Sequence, residues 1–323
     1  MSTPVRLAGF LAAVAAIFGL ALVVGRAVGP VGAEPAASHD AGHGTDDAAH
    51  EDGDDGTDDA SPAAQELPGG LMVSQDGYTL ALAESRAPSG RARPVAFTIT
   101  GPDGAPVTTY DVEHEKRLHL IAVRRDFSGF QHVHPVLDED TGVWSVDLDL
   151  TPGPWRLFAD FKATGAEALT LGADLAVAGS YQVDEAQQES RTATVGDYEV
   201  SLSGDLTAGE DAELTLSVSK GGAPVTDLQP YLGAYGHLVA LRGGDLAYLH
   251  VHPDGEPGDG TTRPGPDVTF YAAVPSAGTY HLYLDFRHDG VVRTAAFTLS
   301  AAGDTGSSAP TSTPTEHGGH SGH

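Results

Sequence analysis

Short runs in which apolar and polar residues alternate recur along this chain, and Gly- and Pro-rich turns separate them. Val95-Ala96-Phe97-Thr98-Ile99 and Ala212-Glu213-Leu214-Thr215-Leu216 repeat with period two, as half-buried strands do. No stretch carries a convincing amphipathic helical stripe, so the pattern predicts an all-β protein. The runs form two parallel series. Each opens on a strand-like segment, Asp76–Leu80 or Gly196–Val200, and continues through the alternating strand to a Gly-Ala-Pro-Val turn, Gly104–Val107 or Gly222–Val225. A histidine-bearing hairpin follows, then an aromatic strand containing Asp-Phe, Trp155–Phe161 or Tyr280–Phe286. Two tandem immunoglobulin-like β-sandwich repeats, residues 69–180 and 193–300, fit about 105 residues each. The alternative is a double cupin-like barrel. Glu139 after His134, and Pro275, Gly278 and His281, partly imitate cupin motifs. Against it, Arg156 stands where the first repeat would need the last histidine, and Asp254 stands only near the place where the second repeat would need an acid.

The flanks differ from the repeats. Leu7–Gly25 is a 19-residue apolar run between Arg6 and Arg26, long enough to cross a bilayer. Val31-Gly32-Ala33 offers a small-residue cleavage site, so residues 1–33 read as a signal peptide or a retained membrane anchor. Either reading exports the remainder, which would be anchored to the membrane or secreted. Residues 34–68 form an acidic linker. Eleven of the chain's 45 acids fall between Glu34 and Glu66, with no Lys or Arg among them. The linker carries His39, His43 and His50, and the Gly/Ser/Thr/Pro-rich tail 301–323 carries His317, His320 and His323. Both are expected to be disordered.

The histidines between these flanks carry the chemical signal. His119, His132 and His134 form one triplet and His237, His250 and His252 another, every pair offset by 118 positions. Within each triplet the second histidine stands thirteen positions after the first and the third two further on. Alternate residues of a strand share a face, so His132 and His134 point together, as do His250 and His252. Gly243-Gly244 suggests a two-residue hairpin turn. Counting back from it sets His237 opposite His250, so the second triplet is expected to converge. Three imidazoles suit a borderline ion, copper(II) or zinc, and leave a position for water, a carboxylate or a substrate. Asp160 and Asp285 are weaker candidates, as fourth ligands or as acceptors that orient an imidazole, and so is His281. Glu113, His114 and Glu115 lie close in sequence to the first triplet; Tyr231 and Tyr235 accompany the second. A hydrogen-bonded histidine cluster shaping the sandwich rim is the competing account.

Composition narrows the chemistry. With no cysteine, the chain has no disulfide, thiolate site or lipoprotein anchor, and two methionines argue against a thioether copper(I) site. A net charge of −28 disfavours nucleic acid as a partner. No Ser/His/Asp arrangement, phosphate loop or paired-carboxylate motif indicates an enzyme class. An open coordination position leaves room for a cupin- or dismutase-type metalloenzyme.

Pro230–Val239 and Leu246–Pro253, with Leu118–Pro135 as their companion, resemble a family of uncharacterised exported bacterial proteins. These are mostly actinobacterial two-repeat proteins with His…His-x-His-Pro motifs, some linked to copper handling. The likeness covers about 230 residues, most of both repeats. The His-Val-His strand is also similar to the copper strand of Cu,Zn superoxide dismutases, but their cysteines are missing and that activity is not carried over. The two histidine triplets and the N-terminal apolar run point to an extracytoplasmic protein that buffers, delivers or senses metal, with another envelope metal-handling protein as a partner. The alternative is an envelope interaction module whose histidines are structural.

Overall fold

The alternating segments become strands of two sandwiches with the same topology. The computed structural model describes residues 67–183, 188–249 and 251–303. The apolar run, nearly all of the acidic linker, the C-terminal tail from 304 and His250 lie outside these. The first repeat contains β1 (Ser74–Gln75), β2 (Tyr78–Leu82), β3 (Arg86–Pro88), β4 (Gly90–Thr100), β5 (Leu118–Arg124), β6 (Gln131–Val133), β7 (Val136–Asp138), β8 (Val143–Leu150), β9 (Gly153–Lys162) and β10 (Ala168–Ala178). The second contains β11 (Thr192–Val195), β12 (Tyr198–Ser203), β13 (Leu206–Thr207), β14 (Asp211–Lys220), β15 (Ala223–Pro224), β16 (His237–Arg242), β17 (Tyr248–Leu249), β18 (Val251–Pro253), β19 (Asp267–Ala273), β20 (Gly278–His288) and β21 (Val291–Ala302).

One sheet of the first repeat runs β1-β2-β4-β8-β7 and the other β3-β10-β9-β5-β6. The second repeat matches them with β11-β12-β14-β19-β18 and β13-β21-β20-β16-β17. The sheets are open and packed face to face, as in immunoglobulin-like sandwiches, and the described residues contain no helix. The cupin-like barrel is therefore not the architecture. Each sandwich has its own core: Phe97, Leu120, Trp144 and Trp155 in the first, Leu216, Phe270, Tyr280 and Phe297 in the second.

Strands β5, β9, β16 and β20 are buried on both sides. Leu118, Leu120 and Ala122 of β5 enter the first core, while Ile121 and Val123 turn outward into a third cluster. That cluster joins them and Phe158 to Val239, Leu241, Leu246 and Tyr283 of the second repeat. Phe130 stacks on Tyr283, and the Tyr283 hydroxyl donates to the Phe127 carbonyl at 2.6 Å. Burying each such side chain contributes about 1.5–3 kcal/mol relative to exposing it. The two repeats thus share an apolar interface, and His119 and His237 lie at one end of it.

A short strap reinforces the junction. Gly70 N–H donates to the Thr170 carbonyl of the first repeat, and Tyr248 N–H of the second donates to the Gly69 carbonyl. Arg156 donates through Nη2 to the Gly70 and Leu71 carbonyls at 2.6 and 2.9 Å. Gly70 has φ +74°, and a Cβ there would stand 2.3 Å from the Phe158 ring. Only glycine fits this passage without displacing the ring.

Candidate metal centre

His119 lies on β5, opposite Asp160 of β9, on the strand face that meets the other repeat. Strand β6 pairs with β5 through Leu120↔Val133 and Ile121↔His132, which sets His134 beside His119. His119, His132 and His134 each present a ring nitrogen, and these nitrogens lie within 4.8 Å of one another. This group could hold a metal ion.

The outer nitrogens of two rings are already committed. His119 Nε2 lies 3.1 Å from the Glu113 carbonyl, which can only accept, so this nitrogen carries the hydrogen. The carbonyl is presented by a tight turn closed by Glu113 and Lys116, with His114 and Glu115 at φ +47° and +66°. His132 Nδ1 faces Asp285 Oδ2 of the second repeat at 2.8 Å, with the two side chains 1% and 3% exposed. The Thr294 hydroxyl donates to the other oxygen of Asp285. Two inner nitrogens, His119 Nδ1 and His132 Nε2, then face each other at 3.0 Å. If both rings are neutral, two lone pairs meet there. His134 Nε2 is buried beside them with no hydrogen-bond partner. A proton on His132 would answer the first contact and leave His134 unsatisfied. One metal ion answers all three.

The electrostatics favour the neutral ring at His119 and His134. His119 is pushed down to about 3, first by desolvation and then by His132. Desolvation, with His132 and Lys116 behind it, holds His134 down at about 4. Neutral rings are the form that binds metal. Asp160, hydrogen-bonded by the Thr170 hydroxyl at 3.0 Å, is raised by desolvation. Tyr248 is pushed well above its ordinary value by burial and then by Asp160 and Asp285.

Of the second triplet, the two described members, His237 and His252, lie on strands of different sheets. The hairpin closes over four residues, Gly243–Leu246, with Arg242 and Leu246 hydrogen-bonded across it and Arg242 N–H donating to the Ala247 carbonyl. Strand pairing is Ala240↔Leu249 and Leu241↔Tyr248, so the predicted register of His237 against His250 is two residues out. Beyond Leu249 the chain crosses to the other sheet, where β18 pairs His252 with Tyr271. His252 is exposed there, and His250 lies outside the described residues. His237 instead packs against the outside of the first triplet. Its ring is parallel to His119 at 5.6 Å between centroids and lies 4.8 Å from His132. His237 is held well below 6.5 by desolvation, then by His132 and His119.

Asp160 and Asp285 occupy equivalent positions, opposite His119 and His237, but only Asp285 is hydrogen-bonded to a histidine of the cluster. His281 sits elsewhere, opposite Leu241, stacked on Phe127 at 3.7 Å and hydrogen-bonded to Thr298. Tyr231 of the second repeat reaches His134, 6.5 Å between centroids. The role of the Glu113 carbonyl has no sequence signal, because its turn lacks the usual Asn-Gly or Asp-Gly pair. A cavity of about 120 Å³ opens beside the cluster between the repeats, bordered by His114, His119, Asp160, His237 and His252.

None of the curated proteins matches this chain. Among solved structures, the Escherichia coli adhesin FdeC shares 16% identity, with 71% of this chain and 65% of that chain covered, at a TM-score of 0.24. InvD of Yersinia pseudotuberculosis shares 13%, with 73% and 62% covered, at 0.24. A putative membrane anchored protein from Corynebacterium diphtheriae shares 12%, with 71% and 59% covered, at 0.22. This chain spans less than two thirds of each of those three. One family matches both repeats, at residues 73–178 and 193–303, and the chain belongs to that family, described as a domain of unknown function (DUF8832).

Proposed function

We propose that this is an exported protein that binds copper(II) or zinc through His119, His132 and His134, and that it buffers, delivers or senses the metal outside the membrane. The carrying observation is the inward-facing set of nitrogens: His119 Nδ1 and His132 Nε2 at 3.0 Å from each other and a buried His134 Nε2 with no hydrogen-bond partner, with the outer nitrogens of His119 and His132 tied down. Imidazole–carboxylate and imidazole–carbonyl contacts of this kind fix ring tautomer and raise ligand basicity at metal centres. With no thiolate and two methionines in the chain, nitrogen and oxygen must supply the ligands. Export rests on the Leu7–Gly25 run and the small residues before Glu34.

Metal analysis of protein purified without an affinity tag and trimmed of both histidine-bearing flanks tests the reading. About one equivalent of copper or zinc is expected per chain, with a copper(II) EPR spectrum of nitrogen ligation. Absence of metal, or binding that survives replacement of all three histidines by alanine, would overturn it.

A further inference from the structure

The inner triplet is buried, so an ion needs a way in, and the residues beside it supply one. His237 makes no ring hydrogen bond among the described residues, whereas the His119 and His132 rings are each held at the outer nitrogen. Its ring lies 4.8 Å from His132 and 5.6 Å from His119 on the inner side, and 5.7 Å from His114 on the outer side. His114 is exposed, on the tight turn at the cavity margin, and its ring is 6.1 Å from His119. Asp160 borders the same cavity and supplies a carboxylate. An ion moving from solvent to the triplet would thus meet an exposed imidazole, then an unanchored one, then the fixed set.

We propose that His114 and His237, with Asp160 between the repeats, form an outer metal station that passes a divalent cation to and from the inner triplet. The inference rests on the metal-binding reading and adds the route. The His114 and His237 ring centroids are 5.7 Å apart, against 5.0–5.3 Å within the triplet, and no hydrogen bond among the described residues fixes the His237 ring. An outer station lowers the barrier between solvent and site without changing either end state. It therefore speeds entry and exit equally and leaves the inner affinity alone.

The test is stopped-flow binding and chelator-driven release of Cu2+ and Zn2+, with the parent chain and an H114N/H237Q variant. Asparagine tolerates the positive φ of position 114, and glutamine keeps a polar side chain of similar length at 237. Association and release should both slow by about tenfold or more, with Kd within about threefold of the parent. An H237Q single variant, expected to show most of the slowing, separates a local loss from disruption of the turn. Unchanged rates would overturn the route. So would a weakened Kd at unchanged association rate, which would make His237 an ordinary inner ligand. If the parent chain binds no metal at all, the failure lies in the proposed function; if it binds metal with rates indifferent to both variants, only the route fails.

Discussion

The two histidine hairpins share their spacing and the same strand order around them, and they end differently. In the first, β6 runs through Val133 beside β5, and His134 remains next to His119. In the second, β17 stops at Leu249 and the chain has joined the other sheet by Val251, which carries His252 to an exposed position opposite Tyr271. A difference of two residues in where the chain changes sheets separates a buried triplet from a surface histidine. Spacing alone therefore does not fix where a histidine lies; the crossover decides which sheet each residue joins. Asp285 of the second repeat hydrogen-bonds His132 of the first, and the His237 ring packs against His119 and His132.

The largest effect should come from breaking the assembled triplet. H132A or H134A should weaken metal binding by more than about 100-fold, while H252A should change it by less than about threefold, both read by competition with a chelator. Equal losses at His134 and His252 would mean the two hairpins are equivalent after all. Asp285 and Asp160 sharpen the comparison. D285N replaces the carboxylate that accepts from His132 Nδ1 with a neutral amide and should cost about 10–100-fold in metal affinity. D160N, at the matching position, breaks no bond to the triplet and should cost much less. The strap comes next. G70A forces a Cβ against Phe158 and a strained φ, and should destabilise the fold by about 1–3 kcal/mol in urea denaturation.

The smallest effect concerns a histidine outside the cluster. His281 is pushed down to about 4 by burial. Unfolding releases the ring to its ordinary 6.5, so between about pH 6.5 and 4 the unfolded chain binds the extra proton. Stability should fall as pH is lowered through that window, and H281Q should make the fall shallower in urea midpoints measured at pH 7.5 and 5. An unchanged slope would mean that other groups carry the acid response.

Period-two alternation is enough to foresee the all-β class and the repeated sandwich, because Val95–Ile99 and Ala212–Leu216 each bury one face against their own core. The clustered triplet of the first repeat is visible as His…His-Val-His for the same reason: side-chain faces follow from strand geometry. The register of the second hairpin is not, since Gly243-Gly244 suits a two-residue turn and yet sits inside a four-residue one. The meeting of the repeats is half-legible. His119-Leu120-Ile121-Ala122-Val123 has no polar residue after the histidine on either face, as a strand covered on both sides requires. Which surface covers it depends on Val239, Leu241 and Tyr283, more than 100 positions away. Asp285 joins His132 only through that packing.

The strap from Gly69 to Met72 has a practical consequence for anyone dividing the chain. Similarity to the family begins at residue 73, and the segment that fastens both sheets comes just before it. A version cut at the similarity boundary would retain every histidine of the cluster. It would lose the backbone bonds to Thr170, Gly172 and Tyr248 and leave Arg156 without its two carbonyl acceptors. The bonded body of the two repeats begins before the recurring segment, and its first residues are hydrogen-bonded to both repeats.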